Sequence, residues 1–369
     1  MNHREMEKSV NGHAGPVIPI LDRAIAAGAS DIHLRPERSP RIRVNTILNP
    51  LKDFFLTSEE ILDFGKSFLT DYKLDELRDK GEVDASLGYR DRRFRANLFA
   101  QKDGYTLALR MIPMEIPSME DLNLPEVLKD LCEKKRGLIL VTGPTGSGKT
   151  TTLAAMINYI NARRKENIVT IEDPIEYLYK EQESMISQRE LGAHTRSFAN
   201  ALRASLRQDP DIILVGEMRD LDTISVALTA AETGHVVLST LHTVGAANSM
   251  DRIIDVFPAH QQAQVRTQLS NVIEAVVSQQ LMASISGNEM IPAIEVMLGT
   301  PAVRNVIREG KTHQILSIQE GSAAQKMITM DRALVNLYRR GLISKDTALQ
   351  YSVDRTAISR EIGMQVRNG

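Results

Sequence analysis

The sequence predicts an α/β chain in two parts, a small α+β domain followed, after a linker, by a larger domain on a mostly parallel sheet. Four near-continuous apolar runs in the second part (Gly137 to Thr142, Ile168 to Ile171, Ile212 to Val215, Val236 to Leu241) have helical patterns between them. Such runs suit strands buried on both faces of a parallel sheet with crossover helices. Before residue 113 the pattern differs: short polar–apolar alternations lie among brief helical stretches. A proline-rich stretch from Pro113 to Pro125 separates the two patterns.

In chain order, residues 1–16 are polar, lack an apolar signal-peptide core and read as a flexible lead-in. The small domain is expected over 17–113. Ile18 to Ile25 has helical spacing and stops near Gly28, and Asp31-Ile-His-Leu34 alternates as a half-buried strand does. Thr57 or Ser58 caps a second helix from Glu59. Arg93 to Phe99 and Thr106 to Arg110 flank a turn at Lys102-Asp-Gly104 and read as a hairpin. The linker is expected at 114–124 and the larger domain over 125–369, with helices dominating from Gln261 onward.

Composition narrows the function. The chain has 369 residues, 42% apolar and 25% charged, enough for two cores. A net charge of −2 and 4% aromatic content disfavour a nucleic-acid partner, which needs basic grooves and stacking platforms. No run approaches the roughly 18 apolar residues of a membrane span, so direct membrane insertion is not expected. The single cysteine, Cys132, excludes a disulfide framework or a cysteine-rich zinc site and fits a reduced, cytoplasmic setting.

Gly143-Pro-Thr-Gly-Ser-Gly-Lys-Thr150 fits G-x-x-x-x-G-K-[ST], after a buried strand and before a helical run. Such a loop turns its backbone N–H groups onto phosphates, aided by the helix dipole. The expected nucleotide-binding residues are Thr145, Gly146, Ser147, Gly148, Lys149, Thr150 and Thr151. Lys149 reaches the β- and γ-phosphates, and the Thr150 hydroxyl holds Mg²⁺. The cofactors expected are therefore ATP and Mg²⁺.

Ligands of open α/β sheets lie at the carboxyl ends of the strands. Two strands there end in Glu172 and in Gly216-Glu217, while His235 precedes and His242 follows the strand Val236 to Leu241. A carboxylate near the γ-phosphate can position or deprotonate water, or hold a water of the Mg²⁺ shell. An imidazole there can sense the γ-phosphate. Taken singly, a strand-end carboxylate is more often a helix cap or a solvated loop residue. The strand Ile212 to Val215 lacks a terminal aspartate, so either Glu217 supplies the metal carboxylate or the ion leans on water and Thr150. Arg93 and Arg95 share one strand face, and the hairpin can bring Arg110 beside them. They are solvated surface residues or arginines that reach a phosphate in a neighbouring subunit.

These residues make the chain similar to the secretion-type ATPase family and, within it, to the retraction ATPases of type IV pili. The resemblance runs from about Pro19 to Ala348. It covers the phosphate loop, Thr170-Ile-Glu-Asp-Pro-Ile-Glu-Tyr177, Asp209 to Arg219 with no strand-end aspartate by family habit, and Thr233 to Thr243 continuing to Asp251 to Pro258. Ala29-Ser-Asp-Ile-His-Leu34 matches the first strand of the family's PAS-like N-terminal domain.

The resemblance implies a RecA-like P-loop ATPase core preceded by a PAS-like domain, and a homohexamer with ATP bound between domains and subunits. Hydrolysis would swing one domain against the other. By position it implies Glu172 as water activator, Glu217 as catalytic or Mg²⁺-shell carboxylate, His235 and His242 as γ-phosphate or interdomain contacts, and Arg95 and Arg110 as the arginines completing the site. The implied partners are the pilus machinery and an inner-membrane platform protein, which would make the chain peripheral at that membrane. Retraction rather than assembly is implied by the short N-terminus, the lack of a four-cysteine segment, and Ala302-Val-Arg-Asn-Val-Ile-Arg-Glu309. On that helix Val303, Val306 and Ile307 should pack inward while Arg304, Arg308 and Glu309 face out. Gln319 to Lys326 is smaller and less basic than the family pattern, with no expected link to the nucleotide site. The competing readings are an accessory, competence or secretion ATPase of the same family, and a nucleotide-binding regulatory module with slow or no hydrolysis.

Overall fold

The computed structural model describes residues 15–45, 47–90, 92–112, 115–287 and 289–366. The expected lead-in lies outside them except for Gly15 and Pro16, which open a 3-10 turn, Gly15–Val17. Two compact units form. Among the described residues, one takes those as far as Glu115 together with Glu172–Leu178 and Arg189–Ser197, and the other takes the rest. The two later segments of the first unit carried no signal in the sequence, because contacts distant along the chain place them there.

In the first unit Val17, already fully buried, leads into α1 (Ile18–Ala26), followed by β1 (Asp31–Leu34), β2 (Arg41–Val44) and β3 (Ile47–Pro50). Then come α2 (Ser58–Phe68), α3 (Asp71–Lys80), β4 (Glu82–Tyr89), β5 (Arg92–Gln101) and β6 (Gly104–Ile112). The sheet runs β3-β2-β1-β6-β5-β4, with every pair antiparallel. Thr57 is the cap of α2: its Oγ1 accepts from Glu60 N at 3.2 Å, and the Glu60 carboxylate accepts from Thr57 N at 2.7 Å. The Ser58 hydroxyl accepts instead from Tyr105 N at 2.9 Å, beside the β5–β6 turn. Alternation divides the sheet: Ile32, Leu34, Phe94, Leu98, Leu107 and Leu109 are buried in the unit's core. The interleaved residues, Asp31, His33, Arg93, Arg95 and Arg110 among them, lie on the other face.

The second unit begins with α4 (Val127–Cys132), β7 (Gly137–Thr142), α5 (Lys149–Asn161), and all but the last residues of β8 (Asn167–Glu172) and β9 (Met185–Glu190), Glu172, Arg189 and Glu190 counting with the first unit. It continues with α6 (Phe198–Ser205), β10 (Ile212–Val215), α7 (Leu221–Glu232), β11 (Val236–Leu241), α8 (Ala246–Asp255) and α9 (Ala259–Val272). β12 (Ile273–Ala283) and β13 (Met290–Leu298) precede α10 (Pro301–Arg308), α11 (Ile315–Gly321), α12 (Met330–Arg339), α13 (Lys345–Tyr351) and α14 (Arg355–Val366). The strand order is β13-β12-β7-β11-β10-β8-β9. β8, β10, β11, β7 and β12 run parallel, and β13 is antiparallel to β12.

Helices dominate after Gln261 as expected, but this region also supplies β12 and β13, the long strands on one side of the sheet. Polar Ser278, Gln279 and Gln280 interrupt the apolar run of β12, and this hid the strand. On α10, Val303, Val306 and Ile307 are buried as expected, but Arg304 does not face out. Its guanidinium donates to Gly299 O at 2.6 Å, Ser270 O at 3.1 Å, Asn271 O, and Glu274 Oε1 at 2.6 Å, pinning α10 to the junction of α9 and β12. Spacing alone could not show this, because a long arginine folds its stem over apolar surface to reach distant carbonyls.

Candidate nucleotide site

The phosphate loop leaves β7 at its carboxyl end and closes on the first turn of α5, so Thr145 to Thr151 are held together. Gly143 has φ +143°, and a Cβ there would come 2.2 Å from the carbonyl oxygen of Gln279. Gly148 stands before α5 at φ +85°, a conformation that L side chains rarely adopt. Lys149 Nζ donates to Gly143 O and Pro144 O at 2.9 Å each, holding its charge over the loop. The hydroxyls of Thr142 and Ser147 are buried with no hydrogen-bond partner, which is uncommon for buried polar groups. A cradle with free backbone curvature, a centred cation and orphaned hydroxyls fits a nucleotide's phosphates. Gln279, which no motif singled out, braces the loop: its Nε2 donates to Ser147 O, and its Oε1 accepts from Thr152 Oγ1 at 2.9 Å.

Beyond β10, Gly216 is tied on both sides. Its N–H donates to Ile171 O at 2.8 Å, and its carbonyl accepts from Thr240 Oγ1 at 2.6 Å. This places the half-buried Glu217 carboxylate between Arg219 Nε at 2.7 Å and His242 Nε2 at 3.5 Å. His242 Nδ1 lies 3.5 Å from Thr145 Oγ1 in the phosphate loop. With its proton on Nε2, His242 donates to Glu217 and leaves Nδ1 to accept from Thr145. The line Thr145–His242–Glu217–Arg219 joins three sequence-predicted residues. Arg219 was visible within the strand-end motif but had no role assigned to it.

His235 is not brought to this line. It precedes β11, where its carbonyl accepts from Gly137 N at the start of β7, the amino edge of the sheet. Its Nδ1 sits 2.9 Å from Ala230 O, and about 20 Å of strand separates it from His242. Of the two roles expected of it, a γ-phosphate or an interdomain contact, this position does not put it beside the phosphate loop, because flanking one strand means standing at opposite ends.

The remaining predicted residues belong to the first unit. Glu172 ends β8; its side chain is buried, and its carbonyl accepts from Leu191 N at 2.8 Å. The Asp173–Pro174 peptide is cis. Buried Glu190 organises this segment, accepting from Ser86 Oγ at 2.8 Å, Arg93 Nη2 at 2.7 Å and Ile175 N at 3.1 Å. Arg93 is thereby committed to structure. Arg95 and Arg110 are direct cross-strand partners. Arg110 pairs with Asp31 at 2.8 Å, and Arg95 stands 4.0 Å from both Asp84 and Glu176. Burial pushes the Asp31 carboxyl up, but hydrogen bonds from Arg110 and Ser30 outweigh it and hold the group below its usual range.

The sequence profile of the type II/IV secretion system proteins matches residues 13–340. The chain belongs to that family. It is similar to a twitching motility protein of Neisseria gonorrhoeae, 46% identical over 322 residues, which span 87% of this chain and 86% of that protein. It is likewise 45% identical over 333 residues to the type IV pilus retractation ATPase PilT of Pseudomonas aeruginosa, covering 90% of this chain and 96% of that one. Among solved structures, the crystal structure of the pilus retraction motor PilT with bound ADP superposes with a TM-score of 0.85 at 45% identity, covering 93% and 99% of the two chains. The family's RecA-like P-loop core and PAS-like N-terminal domain account for the second and first units. Among the described residues no helix is long and apolar enough to cross a membrane.

Proposed function

We propose that this chain is an ATP-hydrolysing motor that drives type IV pilus retraction. The chemistry rests on one observation: Lys149 is fastened over a glycine loop whose Thr145 is linked through His242 to Glu217. The direction of the work rests on similarity over nearly the whole chain to proteins named for twitching motility and pilus retraction.

In this reading the loop N–H groups and Lys149 bind and orient the phosphates. Thr150, with Glu217 acting through water, would hold Mg²⁺, which when bound supplies charge neutralisation to the phosphates. Glu172 and Glu217 are the candidates for positioning the attacking water and taking its proton. His242, held between Thr145 and Glu217, registers the γ-phosphate and passes its presence to the strand-end carboxylate. Arg95 and Arg110 complete the site across subunits of a homohexamer. The ring works in the cytoplasm, peripheral at the inner membrane, against a platform protein of the pilus machinery.

Two experiments test this. Purified wild type should hydrolyse ATP, and Lys149→Ala should lose tight nucleotide binding; unchanged ATP affinity would refute the cradle. Deleting the gene in the source organism should leave more surface pili and abolish twitching. Fewer pili would point to assembly, and unchanged pili to an accessory or secretion role in the same family. Wild-type turnover no faster than that of Glu217→Gln would favour the regulatory module.

A further inference from the structure

Ser278 and Gln279 sit side by side in the buried middle of β12, among apolar neighbours. Polar groups in such a place cost stability unless they are paired. Both are paired, and each with a different loop of the nucleotide site. Alternation sends their side chains to opposite faces of the sheet. Gln279 holds Ser147 O and the Thr152 hydroxyl, while its own carbonyl packs against Gly143. Ser278 Oγ accepts from Gly245 N at 2.9 Å. The cross-strand partner of Ser278, Glu295 on β13, accepts from Ala246 N at 3.0 Å. Gly245 and Ala246 end the loop that begins at His242 and open α8.

Register makes the arrangement compact. Ser278 pairs with Thr142, the last residue before the phosphate loop, and Thr142 pairs with Leu241, the last residue before His242. Both loops thus leave the sheet within one residue of this pair. Glu295 is engaged further, since Gln319 of α11 donates to its Oε1 at 3.2 Å. Gln319 is buried and, as expected of residues 319–326, does not touch the phosphate loop, but it stands one carboxylate away from the end of the His242 loop.

We propose that Ser278, Gln279 and Glu295 are positioning residues for ATP turnover, with Gln279 setting the curvature of the phosphate loop and Ser278 with Glu295 setting where His242 stands. The inference rests on reading the site as an ATPase. A fold-only role would lower stability and leave kinetics alone, whereas positioning separates the two kinetic parameters. Gln279 touches only the cradle, so its loss should weaken ground-state binding. Ser278 and Glu295 bond to the end of the His242 loop, Glu295 also to Gln319 of α11, so their loss should slow the chemical step.

The test uses the full-length chain, with steady-state ATPase kinetics, equilibrium binding of fluorescently labelled ADP, and thermal unfolding. Gln279→Met, which keeps the volume and removes both hydrogen bonds, should raise KM and the ADP Kd about tenfold with kcat little changed. Ser278→Ala and Glu295→Gln should lower kcat about three- to tenfold with ADP affinity near wild type. Variants that lower only the unfolding midpoint, or that all lose binding and turnover together, would overturn the proposal. If wild type itself shows no turnover, the ATPase reading fails, while ADP affinity still tests Gln279: wild-type affinity in Gln279→Met would refute its role.

Discussion

The Glu217 carboxylate lies 3.5 Å from Nε2 of His242, and the other nitrogen of the same ring lies 3.5 Å from the hydroxyl of Thr145. One imidazole therefore spans the gap between the phosphate loop and the carboxylate after β10. Glu217→Gln keeps the shape but removes the charge that can accept a proton or face the metal. Nucleotide should still bind, while turnover falls by about two orders of magnitude or more. Near-normal turnover in a steady-state assay would remove Glu217 from the chemistry.

Gly143→Ala should be more damaging than its size suggests. The new methyl would meet Gln279 O at 2.2 Å in a backbone conformation with φ +143°. The loop must shift to relieve the clash, which displaces one of the two carbonyls that anchor Lys149. Nucleotide affinity should drop at least tenfold, measured by equilibrium binding. Wild-type affinity would show that the cradle tolerates a different curvature.

Arg304 and Arg308 stand on one helix with opposite prospects. Arg304→Ala removes a charged bond to Glu274 and several to carbonyls, and should cost about 2 kcal/mol of stability in urea unfolding. Arg308 is exposed, with one long contact to Asn271 at 3.4 Å. Arg308→Ala should leave stability and ATPase activity near wild type while weakening retraction, scored by twitching. If ATPase activity falls in step with twitching, the helix serves the fold rather than a partner.

Burial, with the charge of Asp331 adding to it, pushes the Glu295 carboxyl above its usual range, and the bonds from Ala246 and Gln319 only partly offset this. The folded protein then binds the proton more tightly than the unfolded chain does. Stability from this group is present below the ordinary carboxylate value of about 4.3 and is lost as pH rises toward the folded value. Glu295→Gln carries no such cost. The stability of Glu295→Gln relative to wild type should therefore rise between about pH 4 and pH 8 in urea unfolding. A difference flat across that range would mean the carboxyl is not burdened by its burial.

Much of the site was legible before any fold was known. The phosphate loop and the four parallel core strands announce themselves through local rules, a glycine spacing and runs of apolar residues. Arg95 and Arg110 were foreseeable as neighbours because a hairpin register follows from its turn. Gln279, Ser278 and Glu295 were not, since single polar residues in a strand look like interruptions until their loop partners arrive from distant sequence. Arg219 sat in view within a motif yet had no role until Glu217 was found in contact with it.

The residues alone made the phosphate loop and the class of the fold legible, because backbone curvature and buried strands follow from near neighbours along the chain. Folding in three dimensions settled the rest. It sent His235 and His242 to opposite edges of the sheet, turned Arg304 inward, and carried Glu172 to Leu178 into the first unit. Each of these depends on strand direction or on a partner far away in sequence. A side chain's surroundings are set by what packs against it, and local pattern does not record that.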